Sequence, residues 1–317
     1  MRELTPVDPG FYDGRKVLVT GGTGFLGART AGQLEASGAD VVAIGSRDHD
    51  LTEQAAVREM LATHRPSVVV HAAGAIGGIG ANVANPGRFL YVNALMGLMM
   101  LEEARKVGVE KFVLISTTCT YPNAAPLPMR EESLWDGRPA GATGPYGVAK
   151  RMLHEAAAGY LEQYRFRSAT LMLSNLYGPG DHFDEATSHV LAALVRRFVE
   201  AAETGASTVT NWGTGSPTRE FLHVDDAAKA IALAGARHDD PAPVNVGTGI
   251  ETSIKQLAEM VAESAGYTGS IEWDTTKPDG QARRFLDVEK ARSFGFAASI
   301  PLAEGIAETV DWYRANR

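Results

Sequence analysis

The sequence has very little cysteine: Cys119 is the only one in 317 residues. One cysteine cannot form a disulfide within the chain, and it excludes a zinc site built from several cysteines. No group of other metal-ligating residues stands near it in the sequence, so no metal site is predicted. Low cysteine content is typical of a reducing compartment, which predicts a cytoplasmic location.

The chain also lacks long apolar stretches. No run reaches the ~18 uncharged apolar residues that a membrane span requires. The N-terminal segment before the first predicted strand contains Arg2, Glu3, Asp8 and Asp13, and it includes no apolar core of a secretion signal. These observations predict a protein with neither a targeting segment nor a membrane partner.

Positive charge is scarce as well. Lys and Arg number 30 against 38 Asp and Glu, which gives a formal net charge of −8 at pH 7. Such a charge argues against a protein that binds nucleic-acid backbones, so no nucleic-acid partner is predicted. A local basic patch can still hold one anionic ligand.

The chain does contain a regular alternation of strands and helices. At roughly 150 residues per domain, 317 residues make two domains or one large α/β unit. The predicted strands cover 16–20, 40–44, 67–71, 111–116, 168–173 and 244–247. The predicted helices cover 28–37, 55–64, 89–107, 145–164, 190–202 and 224–236. This alternation predicts a parallel sheet covered by helices on both faces.

A glycine-rich segment directly follows the first predicted strand. Gly21, Gly24 and Gly27 have the spacing G-x-x-G-x-x-G between that strand and the next helix. Glycines here allow a tight turn and let a pyrophosphate approach the backbone amides, while the helix N-terminus favours the anion. An ordinary glycine turn is the alternative, but the strand before and the helix after favour a dinucleotide-binding turn. Further candidate cofactor contacts in this turn are Thr23, Phe25 and Leu26.

These features predict an α/β fold: a Rossmann-type, doubly wound parallel sheet with a smaller C-terminal α+β substrate lobe. The alternation changes after Asn175, where Gly178-Pro179-Gly180 follows. The predicted NAD(P)-binding domain covers 1–174 and is completed by about 222–247. The predicted substrate lobe covers 175–317, so the two parts are interleaved along the chain.

The end of the second predicted strand bears on the choice between NAD and NADP. Domains that prefer NAD usually have an acidic residue there, which bonds the ribose hydroxyls. This chain has Ile44-Gly45-Ser46-Arg47 instead. Because a nearby arginine suits a 2′-phosphate, NADP(H) is favoured and NAD stays possible; the alternative for Arg47 is a solvated loop residue. Other candidate contacts are Asp50 and Leu51 near the adenine, and Ala72 and Ala73 beside the cofactor.

Tyr146 and Lys150 are four residues apart, on one face of a predicted helix. A lysine ammonium beside a phenol is expected to lower the pKa of the tyrosine, so that the phenol exchanges a proton near neutral pH. Thr117 lies just past the strand 111–116, where its hydroxyl is placed to hold a substrate oxygen. Tyrosine and lysine at this spacing are common on surface helices, but the glycine turn upstream favours a catalytic role.

Several longer segments accompany these motifs in a fixed order. They are Gly77-Gly78-Ile79-x-Ala81-Asn82, Thr117-Thr118-Cys119-Thr120-Tyr121-Pro122, Asn175-Leu176-Tyr177-Gly178-Pro179, Ser188-His189-Val190, Arg196-Arg197-Phe198, Arg219-Glu220-Phe221-Leu222-His223-Val224-Asp225-Asp226 and Lys277-Pro278-Asp279-Gly280. With the glycine turn, they resemble the extended short-chain dehydrogenase/reductase family that acts on nucleotide sugars, and within it the GDP-L-fucose synthase branch. The resemblance covers about residues 15–295.

The resemblance implies roles for the matching residues. Thr117, Tyr146 and Lys150 would carry out hydride transfer at C4 of a 4-keto sugar nucleotide with NADP(H). Cys119 and His189 would exchange protons at C3 and C5, because a C–H next to a ketone is acidic. On sequence alone, Cys119 has the alternative of a small core residue, and His189 that of a helix-start residue.

The same resemblance implies the ligand and the assembly. The implied substrate is a nucleotide sugar, with a GDP-sugar favoured. Arg219 would hold its diphosphate, and the weaker candidate contacts are Asn175, Arg197 and Lys277. Trp212 is expected to pack inside the smaller lobe instead. Relatives commonly form homodimers through the helices that correspond to 89–107 and 145–164.

Two other functions stay open. GDP-L-fucose synthases often have basic residues in the glycine turn and near the end of the second strand, where this chain has Gly22-Thr23 and Gly45. That difference suits a redox-neutral nucleotide-sugar epimerase, acting at C4 or at C3 and C5 of a hexose or heptose with tightly bound NAD. A non-catalytic dinucleotide-binding regulatory protein on the same fold is the remote alternative.

Overall fold

The computed structural model describes residues 2–139, 141–184 and 188–317. Its strands are β1 (Lys16–Thr20), β2 (Asp40–Ile44), β3 (Val68–His71), β4 (Lys111–Thr117), β5 (Arg167–Leu173), β6 (Asn175–Tyr177), β7 (Thr208–Trp212), β8 (Thr218–Arg219), β9 (Phe221–His223), β10 (Pro243–Val246), β11 (Thr252–Ser253) and β12 (Ser270–Asp274). Its helices are α1 (Pro9–Tyr12), α2 (Phe25–Ala36), α3 (Gln54–His64), α4 (Ile79–Ala84), α5 (Pro86–Lys106), α6 (Gly144–Tyr164), α7 (Val190–Thr204), α8 (Val224–Arg237), α9 (Ile254–Ser264) and α10 (Leu302–Asn316). Short 3₁₀ turns cover Thr118–Thr120, Glu131–Trp135 and Glu289–Phe294.

A parallel six-stranded sheet forms the centre of the larger lobe. Its strand order is β10-β5-β4-β3-β1-β2, and each neighbouring pair is parallel. The order reverses at β1, which has β2 on one side and β3 on the other. Ligands of such sheets bind in the crevice at this switch point, outside the carboxyl ends of the strands. The predicted α/β, doubly wound fold is confirmed.

Alternating apolar side chains explain why helices cover both faces of the sheet. Val17 and Val19 of β1 point to one face, where they pack with helices α2 and α8. Leu18 lies between them on the opposite face and packs with α3, α5 and α6. The neighbouring strands β3 and β2 continue the same alternation, so this part of the sheet is covered on each face.

The smaller lobe has a core of its own. Helices α7, α9 and α10 pack around Phe198, Leu257 and Val310, and the parallel pair β7–β12 lies against them. The chain returns to the larger lobe through α8 and β10. The division into a domain of 1–174 with 222–247 and a lobe of 175–317 stays a prediction.

Two local differences from the sequence analysis have clear reasons. Helix α2 begins at Phe25 rather than at residue 28, because Gly24 already occupies the N-cap position. Strand β7 lies in a stretch rich in Gly, Ser and Thr, and α8, β10 and α9 all intervene before its partner β12, so neither strand has a local signal. Within the described ranges, no helix combines the length and hydropathy needed to cross a bilayer.

Candidate active site

The glycine turn joins β1 to α2 at the switch point of the sheet. Gly21 has a φ of +69°, and a Cβ on it would lie 2.9 Å from the backbone N of Ala73. A Cβ on Gly27 would lie 1.9 Å from the carbonyl oxygen of Gly21. Neither position therefore tolerates a side chain, and the residues after β3 pack directly against the turn.

The N-terminus of α2 is open to an anion. Gly24 caps the helix without any side-chain hydrogen bond, and no acidic residue stands in the first turn. Thr23 and Gly24 are exposed. The first amides of such a helix point outward and carry partial positive charge. The turn thus fits the pyrophosphate of a dinucleotide, as the sequence predicts.

The end of β2 is shaped by a contact between Gly45 and Thr23. A Cβ on Gly45 would lie 2.3 Å from the Oγ1 atom of Thr23, so Thr23 leaves no room for a side chain at position 45. The backbone N–H of Gly45 donates to Asp48, at 2.7 Å. Arg47 is exposed beside this contact, and no hydrogen bond or ion pair engages it in the described part of the chain. Its side chain is available to a ligand.

Two predicted adenine contacts have structural partners. The Asp50 carboxylate accepts hydrogen bonds from the backbone N–H and the hydroxyl of Thr52, at 2.9 and 2.6 Å. These bonds lower the pKa of Asp50. Leu51 is buried in the core under β2. Whether either residue reaches an adenine stays a prediction.

Lys150 lies buried inside the candidate site. Its Nζ atom donates to the carbonyl oxygen of Ile115, at 2.9 Å. Burial lowers the pKa of Lys150 to about 8. Burial also raises the pKa of Tyr146, and the negative charge of a Cys119 thiolate raises it further. The expectation that Lys150 lowers the phenol pKa is therefore wrong for this structure, because burial dominates.

Two buried histidines lie near Lys150. His71 shares a hydrogen bond with Thr20, at 2.9 Å, and His154 shares one with Ser116, at 2.7 Å. Burial lowers the pKa of each ring to about 3, and the Lys150 charge lowers it further. Both rings are therefore neutral. His154 was not predicted as a site residue, although it follows Lys150 by four residues on the same helix.

The turn after β4 packs against α6. The backbone N–H of Cys119 donates to the Thr117 hydroxyl, at 3.2 Å, and Arg151 donates to the carbonyl of Thr120, at 2.6 Å. A Cβ on Gly147 would lie 2.2 Å from the Cys119 carbonyl oxygen. The structure thus brings Thr117 and Cys119 against the helix that carries Tyr146 and Lys150.

His189 lies at the N-cap of α7. The residue is exposed, yet the surrounding protein lowers its pKa and His182 lowers it further. No hydrogen bond links His189 to Cys119 among the residues that the structure describes. The preceding residues 185–187 lie outside the described part, so the predicted pairing with Cys119 stays a prediction.

Arg219 and Asn175 lie near each other where β6 and β9 pair. The Asn175 amide donates to the carbonyl of Glu220, at 2.8 Å. Arg219 donates to the carbonyls of Thr218 and Gln281, at 2.7 and 2.6 Å. The Glu220 side chain, next in sequence, is buried. No role for Glu220 was predicted from the sequence.

The partners of Glu220 are backbone amides. Its carboxylate accepts hydrogen bonds from Gly249 and Leu286, at 2.9 and 2.8 Å, and also from Thr248. Burial raises the pKa of this carboxyl. Glu220 therefore connects the loop after β10 to the segment that follows Arg284. The adjacent charged residues Arg219 and Glu220 were the sequence signal that could have indicated a role for Glu220.

Trp212 corrects one prediction. It is 74% exposed rather than packed inside the smaller lobe. The Lys277 ammonium lies 5.8 Å from the centre of its ring. Arg197 donates to Asn211, the residue before Trp212, at 2.5 Å. Lys277 thus lies beside an exposed indole, whereas Arg197 bonds the side chain of Asn211, which points to the buried face of β7.

Known proteins resemble this chain in sequence. The profile of the NAD dependent epimerase/dehydratase family matches residues 17–247. A probable GDP-L-fucose synthase 1 from Oryza sativa subsp. japonica is 40% identical over 305 residues. That alignment covers 96% of this chain and 93% of the relative.

Solved structures resemble it in fold. A GDP-6-OMe-4-keto-L-xylo-heptose reductase from C. jejuni has a TM-score of 0.90 at 28% identity, with coverage of 96% of this chain and 99% of that chain. A GDP-L-fucose synthetase from Naegleria fowleri bound to NADP has a TM-score of 0.86 at 28% identity, with coverage of 96% and 95%. Both similarities therefore extend over nearly the whole chain.

Proposed function

The chain belongs to the NAD dependent epimerase/dehydratase family, and on this basis we propose that it is a nucleotide-sugar epimerase/reductase of the GDP-L-fucose synthase type. The observation that carries the proposal is one site with two kinds of chemistry. Tyr146 and Lys150 project from α6, and the turn packed on that helix holds Thr117 and Cys119. The first set suits hydride transfer, and the thiol suits proton exchange at carbon.

NADP(H) is the proposed cofactor, and when bound it supplies or accepts a hydride. The amides at the start of α2 would hold its pyrophosphate, with Thr23 and Phe25 beside it. Arg47 supports the choice of NADP because it is exposed and unengaged within the described residues at the end of β2. A relative named as bound to NADP supports the same choice.

Tyr146 acts as the proton donor to the C4 oxygen during reduction. Its raised pKa keeps the phenol protonated at neutral pH, which is the form that a donor requires. Lys150 is mainly an ammonium below pH 8, and it would stabilise the negative charge that develops as the phenol gives up its proton. The Thr117 hydroxyl holds the same oxygen in place.

Cys119 and His189 exchange the protons at C3 and C5. Removing a proton next to the C4 ketone leaves an enolate, whose charge spreads onto the C4 oxygen. A proton returned from the opposite face then inverts the carbon. The same Thr117 and Tyr146 hydroxyls that serve reduction stabilise the enolate oxygen, so one site can serve both steps.

The substrate is proposed to be a GDP-sugar. Arg219 would bind the diphosphate, and Asn175 lies next to it through the Glu220 carbonyl. The exposed Trp212 ring, with Lys277 above it, offers a stacking surface for a nucleobase. Because the ring is 74% exposed, it is not packed inside the lobe and is free to contact a ligand.

Incubation with NADPH and GDP-4-keto-6-deoxymannose tests the proposal. We expect NADPH to be consumed and a C3- and C5-inverted product to form. Without NADPH, the enzyme in D₂O should place deuterium at C3 and C5, and Cys119→Ser should slow this exchange by about 100-fold. NADPH binding by Cys119→Ser should stay unchanged. A folded protein that consumes no NADPH contradicts the proposal.

The redox-neutral epimerase is tested in the same preparation. The glycine turn and the end of β2 have Thr23 and Gly45 in place of basic residues, and Thr23 leaves no room for a side chain at position 45, which is the observation that favours this second function. Stoichiometric NAD⁺ released on denaturation, together with sugar inversion without added reductant, would support it. Protein that purifies without a dinucleotide counts against it.

A homodimer through α5 and α6 is also proposed. These two helices pack against each other and expose apolar side chains, among them Tyr91 at 61% and Met152 at 38%. Light scattering of the wild type should give twice the chain mass, and Tyr91→Asp should shift the mass toward the monomer. A monomeric wild type contradicts the dimer. The single cysteine is consistent with a reducing, cytoplasmic location, which stays a prediction.

A further inference from the structure

Arg151 is a buried cation that lies against the turn carrying Thr117 and Cys119. It follows Lys150 on α6 and is only 8% exposed. Burial lowers its pKa, but a guanidinium stays protonated in proteins, so the charge is permanent. In the described part of the chain, no carboxylate forms an ion pair with it. Burying a charge without a counter-charge is costly, which indicates that Arg151 has a role beyond packing.

The guanidinium of Arg151 connects α6 to two separate segments. Its Nε atom donates to the carbonyl oxygen of Thr120, and its Nη1 atom donates to that of Gly137, each at 2.6 Å. The two segments also pair with each other, because Pro122 and Pro139 form an antiparallel bridge. Arg151 thus holds the turn after β4 and the segment before α6 against one helix.

The bond to Thr120 reaches the catalytic residues within a single 3₁₀ turn. The Thr120 hydroxyl donates to the carbonyl oxygen of Thr117, at 2.7 Å. The Thr117 hydroxyl in turn accepts from the backbone N–H of Cys119. A shift of Thr120 would therefore move both the hydroxyl and the thiol that the proposed reaction needs.

The outer side of Arg151 borders an open groove of about 350 Å³. The groove is lined by Arg151 together with Trp135, Arg138, Pro139, Val148, Met152 and Glu155. The Trp135 ring lies over the guanidinium, with its centre 5.3 Å from the Cζ atom, and this contact stabilises the cation. The Nη2 atom is buried and has no hydrogen-bond partner among the described residues. The groove gives small solutes a route to the space that the Arg151 side chain fills.

We propose that Arg151 is a positioning residue, whose bonds to two backbone carbonyls hold Thr117 and Cys119 in place for hydride transfer and proton exchange. The inference rests on the proposed function in its kinetic test, but its structural test needs no substrate. Loss of Arg151 should lower kcat rather than raise KM, because a misplacement of about 1 Å at reacting groups costs on the order of 100-fold in rate.

Alkylation of Cys119 tests the position of the turn directly, because it is the only cysteine of the chain. In Arg151→Ala the turn loses its hydrogen bond to α6, so iodoacetamide should label the half-buried thiol at least about fivefold faster than in the wild type. Glu155→Ala is the matched control: it truncates a side chain of the same groove, one helical turn along, which makes no bond to the turn in the described structure. Its labelling rate should equal that of the wild type.

A rescue experiment separates the lost hydrogen bonds from general loosening. Guanidinium chloride at about 50 mM, far below the concentrations that unfold proteins, supplies an ion that can enter through the groove and donate to the same two carbonyls. It should return the labelling rate of Arg151→Ala toward the wild-type value, whereas urea and sodium chloride at that concentration should not. An Arg151→Ala protein that binds NADPH normally and labels at the wild-type rate overturns the inference, as do equal effects of urea and guanidinium.

Steady-state kinetics gives a second readout, with turnover intact in the wild type. In Arg151→Ala, kcat should fall by about 30- to 100-fold while KM changes by less than about threefold. Arg151→Lys serves if the alanine variant does not fold: its point charge cannot span both carbonyls, so kcat should fall by about 5- to 10-fold. Wild-type kcat in a folded Arg151→Lys overturns the inference, as does a raised KM with unchanged kcat in either variant.

The inference and the proposed function fail separately. A wild type that turns over no 4-keto sugar, while labelling responds to Arg151→Ala and to guanidinium as expected, contradicts the proposed reaction and leaves the role of Arg151 in holding the turn supported. A wild type that turns over the substrate, with wild-type labelling and kcat in Arg151→Ala, contradicts the role of Arg151 and leaves the reaction supported.

Discussion

Gly147 is the position where the structure makes its sharpest prediction about catalysis. It follows Tyr146 on α6 and faces the backbone of the turn that contains Cys119. In Gly147→Ala, the new Cβ would lie 2.2 Å from the Cys119 carbonyl oxygen and 2.9 Å from its carbonyl carbon. Ordinary van der Waals contact begins at 3.4 Å, so the turn must move away from the helix to make room for the methyl group.

The magnitudes follow from two opposing effects on stability. Replacing a helical glycine by alanine stabilises the helix by about 1 kcal/mol. Forcing a methyl group into packed backbone costs about 1–3 kcal/mol. The free energy of unfolding should therefore fall by no more than about 2 kcal/mol. Activity is more sensitive, because a displacement of about 1 Å at reacting groups costs on the order of 100-fold in rate.

The assay compares Gly147→Ala with Gly159→Ala on the same helix. A Cβ on Gly159 meets nothing within 4 Å, so that variant gains helix stability without a clash. Deuterium exchange at C3 and C5 and NADPH consumption should both fall about 100-fold in Gly147→Ala and stay unchanged in Gly159→Ala. NADPH binding and urea unfolding serve as checks on folding.

If Gly147→Ala exchanges deuterium and consumes NADPH at wild-type rates, then the contact between α6 and the Cys119 turn does not position the thiol. A loss of NADPH binding in Gly147→Ala would instead show damage to the cofactor site, which the contact does not predict.

Three further predictions concern pH and stability. Because burial lowers the pKa of Lys150 to about 8, kcat/KM for NADPH-dependent reduction should be level below that pH and fall as the pH rises through it; a pH–rate profile that falls only near ~10 would contradict this. Glu220→Gln should lower the free energy of unfolding, measured in urea, by about 2–3 kcal/mol. The two carboxylate oxygens accept from the N–H groups of Gly249 and Leu286, whereas the amide has only one acceptor oxygen. Unchanged stability would argue against those bonds. Tyr12→Phe removes the 2.6 Å hydrogen bond to the Ala232 carbonyl and should cost about 1–2 kcal/mol by thermal unfolding, and a neutral result would mean that water replaces the phenol.

The sheet of the larger lobe could be predicted because its signals are local. Most of its strands are short apolar runs, and longer helical segments separate them, so the alternation of strands and helices can be read from the sequence. The glycine turn was also predictable, since Gly21 and Gly27 meet backbone that any longer side chain would strike. Strands β7 and β12 were not predicted, because each is stabilised by the other across the intervening α8, β10 and α9.

The sequence was enough to predict which residues form the site, but not how the fold shifts their pKa values. Spacing alone indicated Tyr146 and Lys150, but the direction of the Tyr146 pKa depends on how deeply the fold buries the phenol. Trp212 carries no sequence signal that separates an exposed ring from a buried one. The hydrogen bond from Arg284 to the Thr118 carbonyl was not predicted, because the two residues are distant in the sequence and only the folded chain brings them together.

The pairing of β10 with β5 has a consequence for how the protein folds. Val244 of β10 lies opposite Leu171 of β5, so the last strand of the sheet is synthesised after the whole of 174–242. A fragment that ends at residue 174 would leave β5, a strand made to be buried, as an unpaired edge open to aggregation. Contacts this distant in sequence also slow folding. We therefore expect that the two lobes cannot be produced as separate folded pieces, and that the chain gains its stable structure only once both are complete.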